Sequence, residues 1–363
     1  MIPVTKTFLP PQEEYQEILK KAWETNWITN RGNLVIELEE KLKAYLNSPK
    51  LLITNNGTIP LQLSIKAMEL QGEIITTPFS YVATVSSIVW EHCTPVFVDI
   101  DKDYLTINEE LIEGAITEKT VAILGVHVYG NPCNVERIDT IANKYSLKVI
   151  YDAAHAFGVT YKGASIFSYG DASTCSFHAT KLFHTGEGGA IFVKNKKLYD
   201  NIFYRHNFGH NGQEQFHGLG INGKISELQA AMGLSVFPYI DDIIAKRKEL
   251  YLLYTNLLEN NNTIRFQKIR AEVTYNYAYF PIIFETEHLL LEIKKALEAH
   301  NIFPRRYFYP SLNNLPYTRT KSKLVNASSI SKRVLCLPLY FDLSQTEVKN
   351  ICEIILTTIK RIV

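Results

Sequence analysis

Asp152 closes the apolar run KVIYD (148–152), and 29 residues later Lys181 stands inside SFHATKLFHTGEGGAIFV (176–193). Taken singly, each has an ordinary explanation: a carboxylate at a strand end caps a helix, and a lone lysine is usually a solvated surface residue. Taken together they have a chemical logic. A lysine amine condenses with an aldehyde to a Schiff base, and burial lowers its pKa so that the amine, once released, can carry protons. A carboxylate beside a pyridine nitrogen keeps that nitrogen protonated, so the ring can accept the electron pair left when a neighbouring C–H bond breaks. Pyridoxal phosphate requires these two groups, together with donors for its phosphate.

Phosphate donors are available. Asn55-Asn56-Gly57-Thr58 lies between a strand-like and a helix-like segment, so backbone N–H groups and the helix dipole can meet a dianion, with Gly57 permitting close approach. Ser176, five residues before Lys181, can add a hydroxyl. The same N-N-G-T reads equally well as a plain strand-to-helix turn with a capping threonine.

Two other patterns compete for attention. Gly218-Leu-Gly220-Ile-Asn-Gly223 fits the glycine signature of dinucleotide folds, but the polar stretch NGQEQFH precedes it where a buried strand is required. His206 and His210 stand four apart, which suits a metal only if both rings share a helical face. Asn207-Phe-Gly209 argues that the helix ends between them, no Glu completes H-E-x-x-H, and no metal site is expected.

The elements that must position Asp152 and Lys181 follow from periodicity. From about Leu51 to Val193, β-branched runs (LLIT, EIITT, PVFVDI, VAILGVHV, KVIYD, AIFV) alternate with helix-period segments at 60–70, 82–92 and 136–146, the pattern of a mostly parallel sheet covered by helices. A long helical pattern follows, which Pro238 should end or kink. Beyond Asn262 come a β-rich segment (275–284), a helix (289–301), a short strand (334–339) and a last helix (346–360), an α+β arrangement.

With 363 residues, 46% of them hydrophobic, the chain can bury a large core and divide into a larger and a smaller domain. Lys+Arg 38 against Asp+Glu 37 leaves a net charge of +1, too little to gather nucleic acid or an anionic membrane, so an anionic ligand must be held locally. The start MIPVTKTFLPPQEEY lacks the features of a secretory signal, and no stretch reaches the ~18 apolar residues of a spanning helix. Five scattered cysteines without a C-x-x-C pair suit reduced thiols, and the expected compartment is cytoplasmic.

Over nearly its whole length the chain resembles the DegT/StrS-type nucleotide-sugar aminotransferases, which have the aspartate-aminotransferase fold. The resemblance is carried by IPVTKTFLPP, NNGT, TTPFSYVAT, YDAAHAFG, SFHATKLFHTGEGGAI, GINGKISELQAAMG and LPLYFDLS. It implies an α/β protein of pyridoxal-phosphate fold type I, with a large mixed-sheet domain over 12–241 and a small C-terminal α+β domain over 242–363 on which residues 1–11 pack. It further implies that Lys181 carries pyridoxal phosphate as a Schiff base and then acts as acid and base, with pyridoxamine phosphate as the alternate form. Asp152 would pair with the pyridinium nitrogen, His155 would bond the phenolic oxygen, and Tyr81 would stack on the ring. Gly57, Thr58 and Ser176 would contact the phosphate. Asn222 would reach the phosphate of a neighbouring subunit, which makes the expected unit a homodimer with active sites at its interface.

Gly186, Gly188 and Gly189 then look like a tight return that brings the lysine close to the cofactor. A branch of the family with histidine in place of the lysine performs dehydration, so Lys181 favours amino transfer, with glutamate the implied donor. Where the family often has P-L-H-x-x-P, this chain reads Ser311-Leu-Asn-Asn-Leu-Pro316, with Asn313 at the histidine position. The segment RRYFYPSLNN and His184 look most like the branch that aminates C4 of a thymidine-linked 4-keto-6-deoxyglucose. Arg305, Arg306 and Tyr309 would face the diphosphate or hexose, although a solvated basic turn fits those residues as well. Amination at C3 of a 3-keto-6-deoxy sugar is the nearer rival, and a non-catalytic sugar-nucleotide binder or regulator the more distant one. Synthesis of cell-surface polysaccharide, such as the O-antigen of lipopolysaccharide, is the implied setting.

Overall fold

Seven strands form the central sheet of the computed structural model, which describes residues 1–48, 50–318 and 324–362. Across the sheet they run Leu51–Thr54, Gly189–Val193, Ala172–Ser176, Lys148–Asp152, Thr120–Val126, Glu73–Thr76 and Thr94–Phe97. All are parallel except Gly189–Val193, which is antiparallel to both neighbours. The runs are apolar without interruption because both faces are covered. Ile53, Ile75, Ile123 and Val149 face one layer of helices, and Leu52, Ile74, Leu124 and Ile150 the other.

The first layer holds α1 (Gln12–Thr25), α2 (Asn33–Tyr45), α5 (Val135–Tyr145) and α7 (Glu227–Val236); the second holds α3 (Ile59–Ala67), α4 (Val82–Trp90) and α6 (Lys196–Arg205). Helix α7 opens with a capping box between Ser226 and Gln229. At Pro238 the chain makes one 3-10 turn, Phe237–Tyr239, before α8 (Ile240–Leu258), the break that a proline without an N–H imposes.

Beyond α8, strands Ile264–Phe266, Phe280–Phe284 and Val334–Leu337 make an antiparallel sheet covered by α8, α9 (Glu287–Ala299) and α11 (Gln345–Ile362), with α10 (Val325–Arg333) at its side. The amino-terminal segment reaches this region. Ile2–Pro3 pairs in parallel with Ile302–Phe303, Lys6 bonds Asp342 at 2.8 Å, and Phe8 meets Phe341 edge to face.

Several expected strands are shorter than their patterns, most of all the one over 275–284. The apolar text over 275–284 predicts ten extended residues, but the strand starts at Phe280 and residues 275–279 are irregular. Asn276 explains the difference: its side chain donates to the carbonyls of His155 and Phe157 and accepts the Ala278 N–H, bonds that compete with a ladder. Tyr277 takes a left-handed φ of 54°.

Candidate active site

A cavity of about 240 Å³ opens at the carboxyl ends of the parallel strands, where open α/β sheets place ligands. Strand Leu51–Thr54 delivers Asn56, Gly57 and Thr58 to it, Lys148–Asp152 delivers Asp152 and His155, and Ala172–Ser176 delivers Ser176 and Lys181. Tyr81, at the N-cap of α4, stands at the mouth with 54% of its surface exposed.

Lys181 lies in a turn held by N–H bonds from Ala179 to Gly186 O and from Lys181 to His178 O. Gly186 has a φ of +79°, which glycine adopts without strain. A Cβ on Gly189 would come within 2.3 Å of the Asn56 carbonyl oxygen, so the lysine loop and the Asn56 loop touch backbone to backbone. Nζ of Lys181 lies 3.2 Å from the Tyr279 hydroxyl. Burial lowers the pKa of the amine, opposed by Tyr307, Asp152 and other acidic neighbours.

Asp152 is held at both oxygens. Oδ2 accepts from the Thr84 hydroxyl at 2.7 Å and Oδ1 from the Ala154 N–H at 3.2 Å. Burial raises its pKa, while those two donors and the charge of Lys181 pull the other way. Nδ1 of His155 accepts the Tyr129 N–H at 3.2 Å, and burial keeps the ring neutral well below its ordinary pKa. The proton therefore sits on Nε2, which makes His155 a donor rather than a cation.

At the other end of the cavity, Oδ1 of Asn56 accepts the N–H groups of Thr58 and Ile59, so Asn56 and not Thr58 caps α3. A Cβ on Gly57 would stand 2.7 Å from the Cβ of Ser176. Glycine there leaves a cradle of backbone and the Thr58 and Ser176 hydroxyls, which suits a phosphate. An amine, a pinned carboxylate, a neutral histidine donor and an anion cradle around one cavity fit pyridoxal phosphate.

The DegT/DnrJ/EryC1/StrS aminotransferase family matches residues 11–356. The chain belongs to this family. It is 41% identical to a Shigella dysenteriae protein named dTDP-4-amino-4,6-dideoxy-D-glucose transaminase, over 99% of this chain and 98% of that one. An Escherichia coli protein of the same name is 40% identical over 98% of each chain. The crystal structure of DesI in the presence of its TDP-sugar product superposes with a TM-score of 0.93 at 29% identity, covering 98% of this chain and 93% of that one.

Within this aminotransferase, Arg305 lines the cavity with its guanidinium 4.4 Å from the ring centre of Tyr307. Arg306 is turned aside: its Nη2 bonds Glu287 at 2.6 Å and the Lys332 carbonyl at 3.0 Å, and its guanidinium lies over the Tyr309 ring. Arg306 and Tyr309 line an adjoining cavity of about 200 Å³ that shares Tyr81 and Arg305 with the first. His184 is not brought to either cavity. Its Nδ1 accepts the Gly186 N–H and its Nε2 bonds the Phe8 carbonyl, so the ring is a buried tie between the lysine loop and the amino-terminal segment. Asn313 accepts from the Ser311 hydroxyl and lies outside both cavities.

Asn222 also lies away from this chain's cavity, with its carbonyl accepting from the Asn55 side chain. The glycines around it pack against the turn after α6: a Cβ on Gly220 would meet Gly209 N at 2.3 Å and Arg205 O at 2.5 Å. No strand leads into Gly218, as the dinucleotide reading would require. Helix α6 ends at Arg205 with His206 as its C-cap, so it stops just before the first of the two histidines rather than between them, and the two rings do not share a helical face. Thr84, Tyr279, Tyr307 and Phe308 were not singled out in the sequence; a Thr in YVAT and rings in a tyrosine-rich stretch carry no motif of their own.

Proposed function

We propose that this aminotransferase uses pyridoxal phosphate to move an amino group from glutamate to C4 of dTDP-4-keto-6-deoxyglucose, giving dTDP-4-amino-4,6-dideoxyglucose. The observation that carries the reading is Lys181 and Asp152 lining one cavity in a chain 41% identical, end to end, to a transaminase named for that product. Amination at C3 gains no comparable support, since both of those relatives are named for a 4-amino sugar. A silent binder has no use for a buried lysine paired across the cavity with a pinned aspartate.

When bound, the cofactor supplies an electrophilic carbonyl and an electron sink. The chain supplies the rest. Gly57, Thr58 and Ser176 would hold the phosphate, Asp152 would keep a proton on the ring nitrogen, and Tyr81 would cover the ring at the mouth of the cavity. His155, with its proton on Nε2, would donate to the phenolic oxygen. Lys181, its pKa lowered by burial, takes the proton from the amino donor's Cα at Nζ and returns it within the same cavity. Arg305 binds the anionic part of either substrate. Ping-pong kinetics follow from the two half-reactions.

The active unit is a homodimer in which Asn222 serves the partner's phosphate site. Phe208, Phe216 and Leu219, each more than half exposed around Asn222, support that surface as an interface. Five buried, unpaired cysteines suit a cytoplasmic location. Among the described residues, no helix is long and apolar enough to cross a membrane. The implied setting is synthesis of a cell-surface polysaccharide. The deciding experiment gives the purified enzyme glutamate and the 4-keto sugar nucleotide and locates the new amine by NMR. An amine at C4 is expected; one at C3, or no turnover, refutes the assignment.

A further inference from the structure

The irregular segment 275–279 is tied down by side-chain bonds rather than by a strand ladder. The Tyr275 hydroxyl donates to Tyr129 O at 2.8 Å, and Asn276 donates to His155 O and Phe157 O at 2.8 and 2.9 Å. The Arg247 guanidinium, 4% exposed on α8, donates to Ala278 O at 3.0 Å. Bonds from two sides of the active site thus fix the backbone immediately before Tyr279. The ring of Tyr279 is wedged between His155, at 4.7 Å, and Tyr307, at 5.6 Å, and the residue is 6% exposed. A local departure from the strand pattern of this kind is expected at functional or strained positions.

What the segment positions is one oxygen, 3.2 Å from Nζ of Lys181. An ammonium can only donate, whereas a neutral amine can also accept, and a phenol hydroxyl serves both forms because it accepts and donates. We propose that Tyr279 is the positioning residue for Lys181: its hydroxyl holds Nζ in place through both protonation states while the amine is not covalently engaged. This deepens the functional reading above and rests on it for the amine's role. Burial pushes the phenol's own pKa up, with Arg247 and Arg305 opposing, so the hydroxyl keeps its proton and Lys181 remains the group that exchanges one.

The test is Tyr279→Phe, which removes one oxygen and keeps the packed ring; Tyr279→Leu is the second hydroxyl-free variant should the first fail to fold. Two readings are taken. In the cofactor-free full chain, acetic anhydride labelling of Lys181 is followed across a pH series by peptide mass. In the loaded enzyme, the glutamate half-reaction is followed by absorbance. The ammonium form loses the stronger, charge-assisted bond, so the labelling midpoint falls by about half a unit or more. The half-reaction slows about tenfold or more, with KM for glutamate within about twofold of wild type. A smaller fall of the midpoint, or a smaller slowing, overturns the assignment. If the unaltered enzyme does not react with glutamate, the functional reading fails, and the labelling midpoint alone then decides for or against Tyr279.

Discussion

Asp152 shows how one side chain is balanced between opposing forces. Full burial favours its neutral form, yet its proposed task needs the anion. The Thr84 hydroxyl and the Ala154 N–H favour that anion, and the Lys181 ammonium adds to them. A protonated ring nitrogen would add the largest share, at contact distance in a low dielectric. Lys181 is the matching case on the basic side, a buried amine that loses its proton more readily than an exposed lysine. Replacing it is the sharpest test at this scale. Lys181→Ala is expected to abolish turnover while leaving cofactor binding noncovalent; a borohydride-treated variant should carry no reduced adduct, and any retained turnover removes Lys181 from its assigned role.

Elements decide whether these side chains meet. The turn after Leu51–Thr54 is open only because residue 57 has no side chain: Gly57→Ala would force a Cβ to within 2.7 Å of Ser176 Cβ and 3.1 Å of its Cα. Overpacking of this kind costs about 1–3 kcal/mol, and here the strain falls on the proposed phosphate cradle. Cofactor affinity, measured by fluorescence titration, is expected to drop about 5- to 150-fold over that range. Segment 275–279 is the second case. Asn276→Ala leaves the carbonyls of His155 and Phe157 without their buried donor. The expected loss is about 2–4 kcal/mol in urea unfolding, larger than for a surface asparagine. Asn276 also sets where the strand there begins, since the β-rich text YNYAYFPIIF says nothing about where an amide side chain finds partners. Helices α1 and α6 lack a legible periodicity for a related reason. Helix α1 buries only Ala22 and α6 only Ile202, so their apolar stripes are too thin to stand out.

At the scale of the whole molecule, buried neutral histidines tie stability to pH. His127 is fully buried against Tyr151, its Nδ1 accepts the Cys133 N–H, and burial with Arg270 nearby takes its pKa from 6.5 to about 3. His206, also buried, falls to about 4. In the unfolded chain both bind protons at the ordinary value, so stability is full above about pH 6.5 and is lost as pH falls toward those lower values. Each contributes a slope of up to about 1.4 kcal/mol per pH unit within its window. Urea unfolding across that range should show the slope in the natural chain and a shallower one in His127→Gln; identical slopes would mean that His127 is already charged in the folded state.

The sequence by itself determined six of the seven central strands, all but Ala172–Ser176, together with the break at Pro238 and the lysine and aspartate as a candidate pair; it left the turn at Gly57 open between an anion site and a plain strand-to-helix turn. Each of these follows from local rules: uninterrupted β-branched runs, a missing N–H, or residue types that combine into one chemistry. Tertiary structure alone decided that Thr84 pins Asp152, that Tyr279 meets Lys181, that His184 and Arg306 are spent on internal contacts, and that residue 275 does not begin a strand. Those contacts join residues far apart in the chain, 68 positions for Thr84 and Asp152 and 98 for Lys181 and Tyr279. Their partners are chosen by packing, which no local pattern encodes.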